Sequence, residues 1–201
     1  MDLLLKIALL ILRLVIRFWS FIRDFYFGLT KRANFLEPVA LLFVRFAPAY
    51  VFFRSGLTKW TGFLSFNSDK YGLFLYEFFC PLPPRDGALV LCEHVFEDGV
   101  IVDGIYAPTT QWIIERFANM AGIMEIVLPI LIMLGLFSRF AAFGLLAMTL
   151  FIEFFVFPDS ATWWGSHIWW AATLFIIVAR GPGFLSIDRW VGLERSPTHT
   201  K

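Results

Sequence analysis

Four stretches of this chain carry an apolar pattern long enough for a membrane helix, and a long amphipathic stretch precedes them. A bilayer core needs about 20 mostly apolar residues per helix. Pro38 to Leu57 is interrupted by Arg45 and Arg54, Phe117 to Phe137 by Glu125, and Phe140 to Phe157 by Glu153. Trp163 to Ala179 is the shortest, with His167 as its titratable group. Ser138-Arg139 predicts a tight antiparallel turn between the second and third spans. Phe157-Pro158-Asp159 breaks the third helix, and Asp159 to Thr162 turns into the fourth.

The first 27 residues read differently. Lys6, Arg13, Arg17, Ser20 and Asp24 recur at spacings of seven, four, three and four, which puts them on one helical face with apolar residues over the remainder. A basic amphipathic helix of this kind lies in the headgroup plane against anionic lipid. The alternative is a fifth span whose cations face protein. A secretory signal is not expected, because the cations run throughout and no small-residue cleavage site follows.

Between spans one and two lies a long polar stretch, residues 61–111. It holds Asp69, Glu77, Asp86, Glu93, Glu97, Asp98 and Asp103 against Lys70 and Arg85. It also holds Phe63, Phe66, Tyr71, Phe74, Leu75, Tyr76, Phe78 and Phe79, which are too apolar for a solvated linker. Leu89 to Cys92 and Val100 to Ile105 read as short strands, with Gly87 and Asp98-Gly99 as turns. A small cap over the helix mouth is expected. The predicted organisation is a basic amphipathic helix at 1–33, a membrane domain at 34–191 and a tail at 192–201.

Composition sharpens this into an all-α integral membrane fold, a bundle of four transmembrane helices with an interfacial N-terminal helix. Hydrophobic residues make up 59% and charged residues 16%, a balance shifted from soluble domains towards lipid. Net charge is +1, so overall charge points to no acidic partner, and nothing supports nucleic-acid binding. Charge placement is informative. Lys6, Arg13, Arg17, Arg23, Lys31, Arg32, Arg139, Arg180, Arg189, Arg195 and Lys201 fall on the arm, the 138–139 turn and the tail. Positive residues stay inside, so both termini are expected to be cytoplasmic and loop 61–111 extracytoplasmic, in a bacterial-type inner membrane.

Cys80 and Cys92 both fall in that outer loop, flanking Pro81, Pro83, Pro84 and Gly87. An oxidising compartment favours a disulfide. The expected role is a structural staple worth about 3 kcal/mol. A redox-active dithiol is the alternative, although the spacing resembles no exchange motif.

Ionisable groups inside spans are costly and face partners or cavities. By helical rise, Arg54, Glu153 and His167 lie roughly 6–9 Å below the outer face and share one layer. Arg45 and Glu125 lie roughly 18–22 Å deep and form a second, mid-membrane pair. Arg45, Phe52, Gly56 and Lys59 share a stripe, as do Ala118, Gly122, Glu125 and Pro129. Arg139, Leu146 and Glu153 share another, and so do His167, Ala171, Leu174 and Val178. Such carboxylate, imidazole and guanidinium groups around an aromatic cavity can bind a quinone and relay its protons. The same pairs can instead specify helix registry alone. Lys59 and Arg116, near the interfaces, are expected to snorkel. Trp60, Trp112, Trp163, Trp164, Trp19 and Trp190 fit interfacial anchoring, while Trp169 and Trp170 lie deeper and are pocket candidates. His94, His167 and His199 are far apart, and no Cys/His spacing, phosphate loop or nucleophile elbow is present, so no metal site is expected.

Val44-Arg45-Phe46 through Ser55-Gly56-Leu57-Thr58-Lys59-Trp60 resembles the first span of DoxX-like proteins. Met124-Glu125-Ile126-Val127-Leu128-Pro129 followed by Leu134-Gly135-Leu136-Phe137-Ser138-Arg139 resembles that family's second span and turn. Phe155-Val156-Phe157-Pro158-Asp159, His167-Ile168-Trp169-Trp170 and Arg180-Gly181-Pro182-Gly183-Phe184-Leu185-Ser186-Ile187-Asp188 resemble its C-terminal half. The resemblance spans about Pro38 to Val191 and carries over Arg45, Lys59, Glu125, Arg139, His167, Arg180 and Asp188. Glu153, the basic N-terminal helix and the Cys80–Cys92 loop depart from the family's pattern.

That resemblance implies a link to redox and sulfur chemistry, since relatives include the membrane subunit of a thiosulfate:quinone oxidoreductase. The branch with this Pro-Asp turn and this C-terminal motif often accompanies systems making modified copper-binding peptides. The expected function is a membrane subunit of a redox, sulfur or oxidative-stress system. It would bind a quinone or similar lipophile beneath the lid, with no covalently bound cofactor. Glu153, His167 and Glu125 would handle protons or touch substrate, and Arg45, Arg54, Lys59, Trp169 and Trp170 would bind it. Expected partners are the bilayer and a peripheral oxidoreductase, with an oligomer left open. The rival is a non-enzymatic scaffold docking peripheral oxidoreductases or a metal- or peptide-modifying system. A third reading is a small transporter, against which the lack of inverted repeats argues.

Overall fold

Nothing in Asp2–Ala33 stops a helix: the run has no proline, and its last turn carries Lys31 and Arg32, which suit the negative end of the helix dipole. The computed structural model describes residues 2–63 and 65–194, and forms two compact units, Met1–Ala40 and Leu41–Lys201. In the first, α1 (Asp2–Ala33) is one unbroken helix with exposed apolar side chains from Ile7 to Leu29. Arg23 pairs with Asp24 at 2.9 Å on its surface. A 3-10 turn, Asn34–Leu36, leads into α2 (Glu37–Leu57). Of the predicted tail, residues 195–201, including Arg195, His199 and Lys201, lie outside the described residues.

In the second unit, β1 (Trp60–Gly62) and β2 (Ser65–Phe66) form a short hairpin with Trp60 opposite Phe66. Then α3 (Asp69–Gly72) runs into a π-helical turn, Leu73–Phe78. β3 (Glu93–Glu97) and β4 (Val100–Ile105) pair antiparallel around Asp98-Gly99. The first strand of this hairpin is predicted at Leu89 to Cys92 but forms later. The Leu89 N–H donates to the Phe155 carbonyl and the Leu91 N–H to the Phe79 carbonyl, both at 2.8 Å, so neither is free to pair with β4.

α4 (Pro108–Leu134) begins nine residues before the predicted second span. Proline suits its first turn, and Glu115 and Arg116, which lie between the predicted loop and the predicted span, are part of the helix. α5 (Ser138–Phe151) continues as a π turn, Ile152–Val156, ending before Pro158. α6 (Ser160–Thr162), a third π turn (Trp163–His167) and α7 (Ile168–Arg180) follow, then α8 (Ile187–Trp190). Among the described residues, three helices are long and apolar enough to cross a membrane: Glu37–Leu57, Pro108–Leu134 and Ser138–Val156. The predicted fourth span is helical from Ser160 to Arg180 but is not among them; Ser160, Thr162, Ser166 and His167 make its first half more polar. The chain is a mostly helical, multi-pass membrane protein.

One core joins α2, α4, α5 and α7 through Ala49, Phe52, Leu128, Ile132, Ala142, Leu145, Leu174 and Ile177. Alanines at the crossings let backbones approach, as apolar surroundings favour. The α4–α5 turn is Gly135–Phe137, and Ser138-Arg139, predicted as the turn, opens α5. Phe137 adopts a left-handed φ of 46°, uncommon for a residue with a side chain. Asp188 holds it there: its carboxylate accepts the Phe137 N–H at 2.7 Å and the Ser138 N–H at 2.9 Å. Gly135 has φ +70°, and a Cβ there would stand 2.5 Å from the Ser186 Cβ and 2.7 Å from Arg45 Nη1. Arg139 leaves its predicted stripe, donates to the Val178 and Ala179 carbonyls at the end of α7, and pairs with Glu194 at 2.8 Å.

Candidate functional site

Gly56 lets α2 cross α4 closely, since a Cβ there would fall 2.8 Å from the Glu125 carbonyl oxygen. The crossing sets Lys59 beside Glu125. Lys59 Nζ lies 2.5 Å from Glu125 Oε2 and 3.1 Å from Ser55 Oγ. Both charged side chains are about 7% exposed. Lys59 therefore does not snorkel, and Arg45 is not the partner of Glu125. Arg45 sits 11 residues before Gly56, about 16 Å along the helix, too far to reach. It turns instead to the other end, where Nη1 donates to the Leu185 carbonyl at 2.6 Å and the Pro182 carbonyl at 3.2 Å. Nη2 donates to the Met133 carbonyl at 3.2 Å. Arg45, Asp188 and Arg139 thus clamp the α4–α5 turn, and the substrate contact expected of Arg45 has no geometric support.

Glu125 also faces an apolar cleft of about 330 Å³ between α4, α5 and the 73–78 π turn. Phe74, Phe78 and Phe79 roof it, Phe117, Met120 and Met124 line the α4 side, and Met148 and Phe151 the α5 side. Glu125 is the lining's one ionisable side chain. A volume of this size with an apolar wall and one polar group is how sites for small lipophiles are built.

Two contacts hold the roof. Arg85 donates to the Val156 carbonyl at 3.0 Å and stacks on Phe157 at 4.4 Å. The Tyr106 hydroxyl, from the end of the β3–β4 hairpin, donates to the Leu75 carbonyl in the π turn. Burial, with a contribution from Tyr76, pushes the Tyr106 pKa up to about 12. A raised pKa means that the fold favours the neutral phenol. Its contribution is complete below the ordinary value of 10 and is lost as pH rises towards about 12. Across that window the stability of the wild-type protein is expected to fall relative to Tyr106→Phe, with tyrosinate absorbance showing one late-ionising phenol. Parallel stability curves for the two proteins would contradict this.

The second buried pair joins two π turns. Glu153 Oε2 lies 2.6 Å from His167 Nδ1, with 10% and 8% of the side chains exposed. An extra residue in a helical turn re-aims the side chains it carries, and such turns recur at functional sites. Trp170 tilts against His167 at 5.0 Å and meets Phe52 edge-on at 5.7 Å. Arg54, expected in this layer, is exposed. Trp169 is 64% exposed and does not line the cleft. Trp60, expected as an interfacial anchor, packs on Phe66 and donates its indole N–H to the Gly122 carbonyl at 3.3 Å. Asp159, beside the pair, caps α6; hydrogen bonds from the Thr162 hydroxyl and backbone N–H hold its carboxyl below the usual range.

Cys80 and Cys92 are joined as a disulfide, Cα to Cα 5.6 Å. Cys80 is fully buried and Cys92 partly so. The Leu91–Phe79 hydrogen bond brings the two segments together. The aromatic-rich run 74–79 marks the cap as a folded element, but no sequence signal says which of its rings share a cleft with Met124 and Met148.

No curated protein and no solved structure matched the chain. Residues 103–158 match the DoxX family model. That segment runs from β4 through α4 and α5 to Pro158, and so contains Glu125, Glu153 and the α4 and α5 walls of the cleft. By that match, a segment making up a little over a quarter of the chain is similar to the DoxX family.

Proposed function

We propose that this chain is the membrane subunit of a redox-linked system and holds a quinone or similar flat lipophile in the cleft beneath the 73–78 cap. The cleft carries the reading: aromatic and thioether walls suit a flat apolar ring, and one carboxylate meets it at its inner end. Glu125 is placed to accept or give a proton there, with Lys59 orienting it. The Glu153–His167 pair, in the neighbouring helix interface, would serve as a second proton station. The DoxX family is a membrane family associated with redox-related subunits, which supports the same class. Electrons would come from a partner or a diffusible carrier. In this reading Ser160–Arg180 is the fourth span, both termini are cytoplasmic, and the cap faces outward.

Native mass spectrometry of the protein, extracted gently from its own membrane, tests this. The wild-type protein is expected to carry a quinone-sized ligand, and Ala147→Phe, which fills the cleft and replaces no member of either ion pair, is expected to lose it. A ligand-free wild-type protein would overturn the reading. The scaffold reading draws support from α1, a helix in a unit of its own with exposed cations. Peripheral oxidoreductases retained without ligand, and lost on deleting residues 2–33, would favour it.

A further inference from the structure

His94 has no metal-ligand motif around it in the sequence, yet the fold assembles one. Cys92 and His94 are two residues apart where β3 begins, and extended backbone sends side chains at that spacing to the same face. Cys80 arrives from the cap, set beside residue 92 by the Leu91–Phe79 hydrogen bond. Gly104 is opposite His94 in the ladder, and a Cβ on it would collide with Cys80 Sγ, so bare backbone walls this side of the cluster. The two sulfurs and a His94 ring nitrogen all lie within 4.8 Å of one another. His94 Nε2 is buried with no hydrogen-bond partner among the described residues. A buried, unpaired imidazole nitrogen is uncommon and calls for a reason.

We propose that Cys80, Cys92 and His94 form a redox-gated site for a thiophilic divalent cation of the Zn²⁺ class. With the disulfide closed there is no thiolate, and the site binds nothing. A dithiol reductant opens it. One of its thiolates attacks the sulfur of Cys92, the more exposed of the two residues, and Cys80 leaves as a thiolate. The reductant's second thiol then displaces Cys92, so the reductant ends as a disulfide and the chain, having gained two electrons and two protons, as a dithiol. Cation binding releases the two thiol protons to solvent, and His94 contributes the lone pair of a neutral ring nitrogen. Ligand atoms around a tetrahedral ion stand roughly 3.3–3.8 Å apart, so after reduction the two sulfurs separate from bonding distance while the His94 nitrogen is already within reach of both. Three protein ligands leave a fourth position open to water or an added ligand.

The test uses the untagged full chain in detergent, reduced with a phosphine, freed of reductant and titrated with Co²⁺ as the spectroscopic probe. The reduced wild-type protein is expected to show a thiolate-to-cobalt charge-transfer band, and the oxidised protein none. His94→Gln is expected to re-form its disulfide in air, which shows that it folds, yet to bind Co²⁺ at least about tenfold more weakly. X-ray absorption of the wild-type cobalt form is expected to show imidazole scattering. Absence of the band in the reduced wild-type protein, absence of imidazole scattering, or unchanged affinity in His94→Gln would overturn the proposal.

Discussion

Lys59→Met is expected to destabilise the protein by about 3–5 kcal/mol, the usual cost of leaving a buried charge without its partner. Lys59 Nζ and Glu125 Oε2 are 2.5 Å apart in a site almost closed to solvent. Removing the ammonium strands a carboxylate whose other near neighbours are the phenyl and thioether groups of the cleft. A buried pair exchanged whole for apolar residues of similar volume costs little, so Lys59→Met/Glu125→Met is expected to recover most of the loss. Unfolding in mixed micelles, followed by tryptophan fluorescence, reads the difference. Additive single-mutant costs would mean that the two side chains do not act as a pair.

Asp188→Ala is expected to cost about 3 kcal/mol, because hydrogen bonds to a charged group contribute roughly 1.5–3 kcal/mol each and two are lost. The carboxylate is 4% exposed and is the cap of α5, fifty residues before it in the chain. Its removal leaves the Phe137 and Ser138 N–H groups without that acceptor, beside a left-handed Phe137. Asp188→Asn keeps one acceptor and is expected to fall between. Hydrogen exchange should localise the effect to the amides of 137 and 138. Unchanged protection there would show that the turn holds itself.

Helical phase was readable wherever a helix is regular. The Arg45–Phe52–Gly56–Lys59 stripe is buried at all four positions, and so is Ala118–Gly122–Glu125–Pro129. Pairing was not readable, because depth counted from the ends of apolar windows omits residues just past them. Lys59 lies two positions beyond Leu57 and becomes the buried partner, while Arg45 is held by carbonyls that carry no side-chain signature. In the Arg139–Leu146–Glu153 stripe Glu153 is buried and Leu146 half-buried, but Arg139, in the first turn of α5, reaches out to the Val178 and Ala179 carbonyls and to Glu194 and is exposed. The Asp188 cap, the Tyr106 tie and the Cys80–Cys92–His94 cluster join segments distant in sequence. Local patterns of charge and hydrophobicity do not encode such meetings.

The cleft is the centre of the account, and photo-cross-linking with an azido-quinone in the native membrane tests it most directly. Label is expected on peptides carrying Phe117 to Met124 and Met148 to Phe151, competed by unmodified quinone and lost in Ala147→Phe. Label spread over lipid-facing residues, uncompeted and indifferent to Ala147→Phe, would contradict a lipophile site beneath the cap.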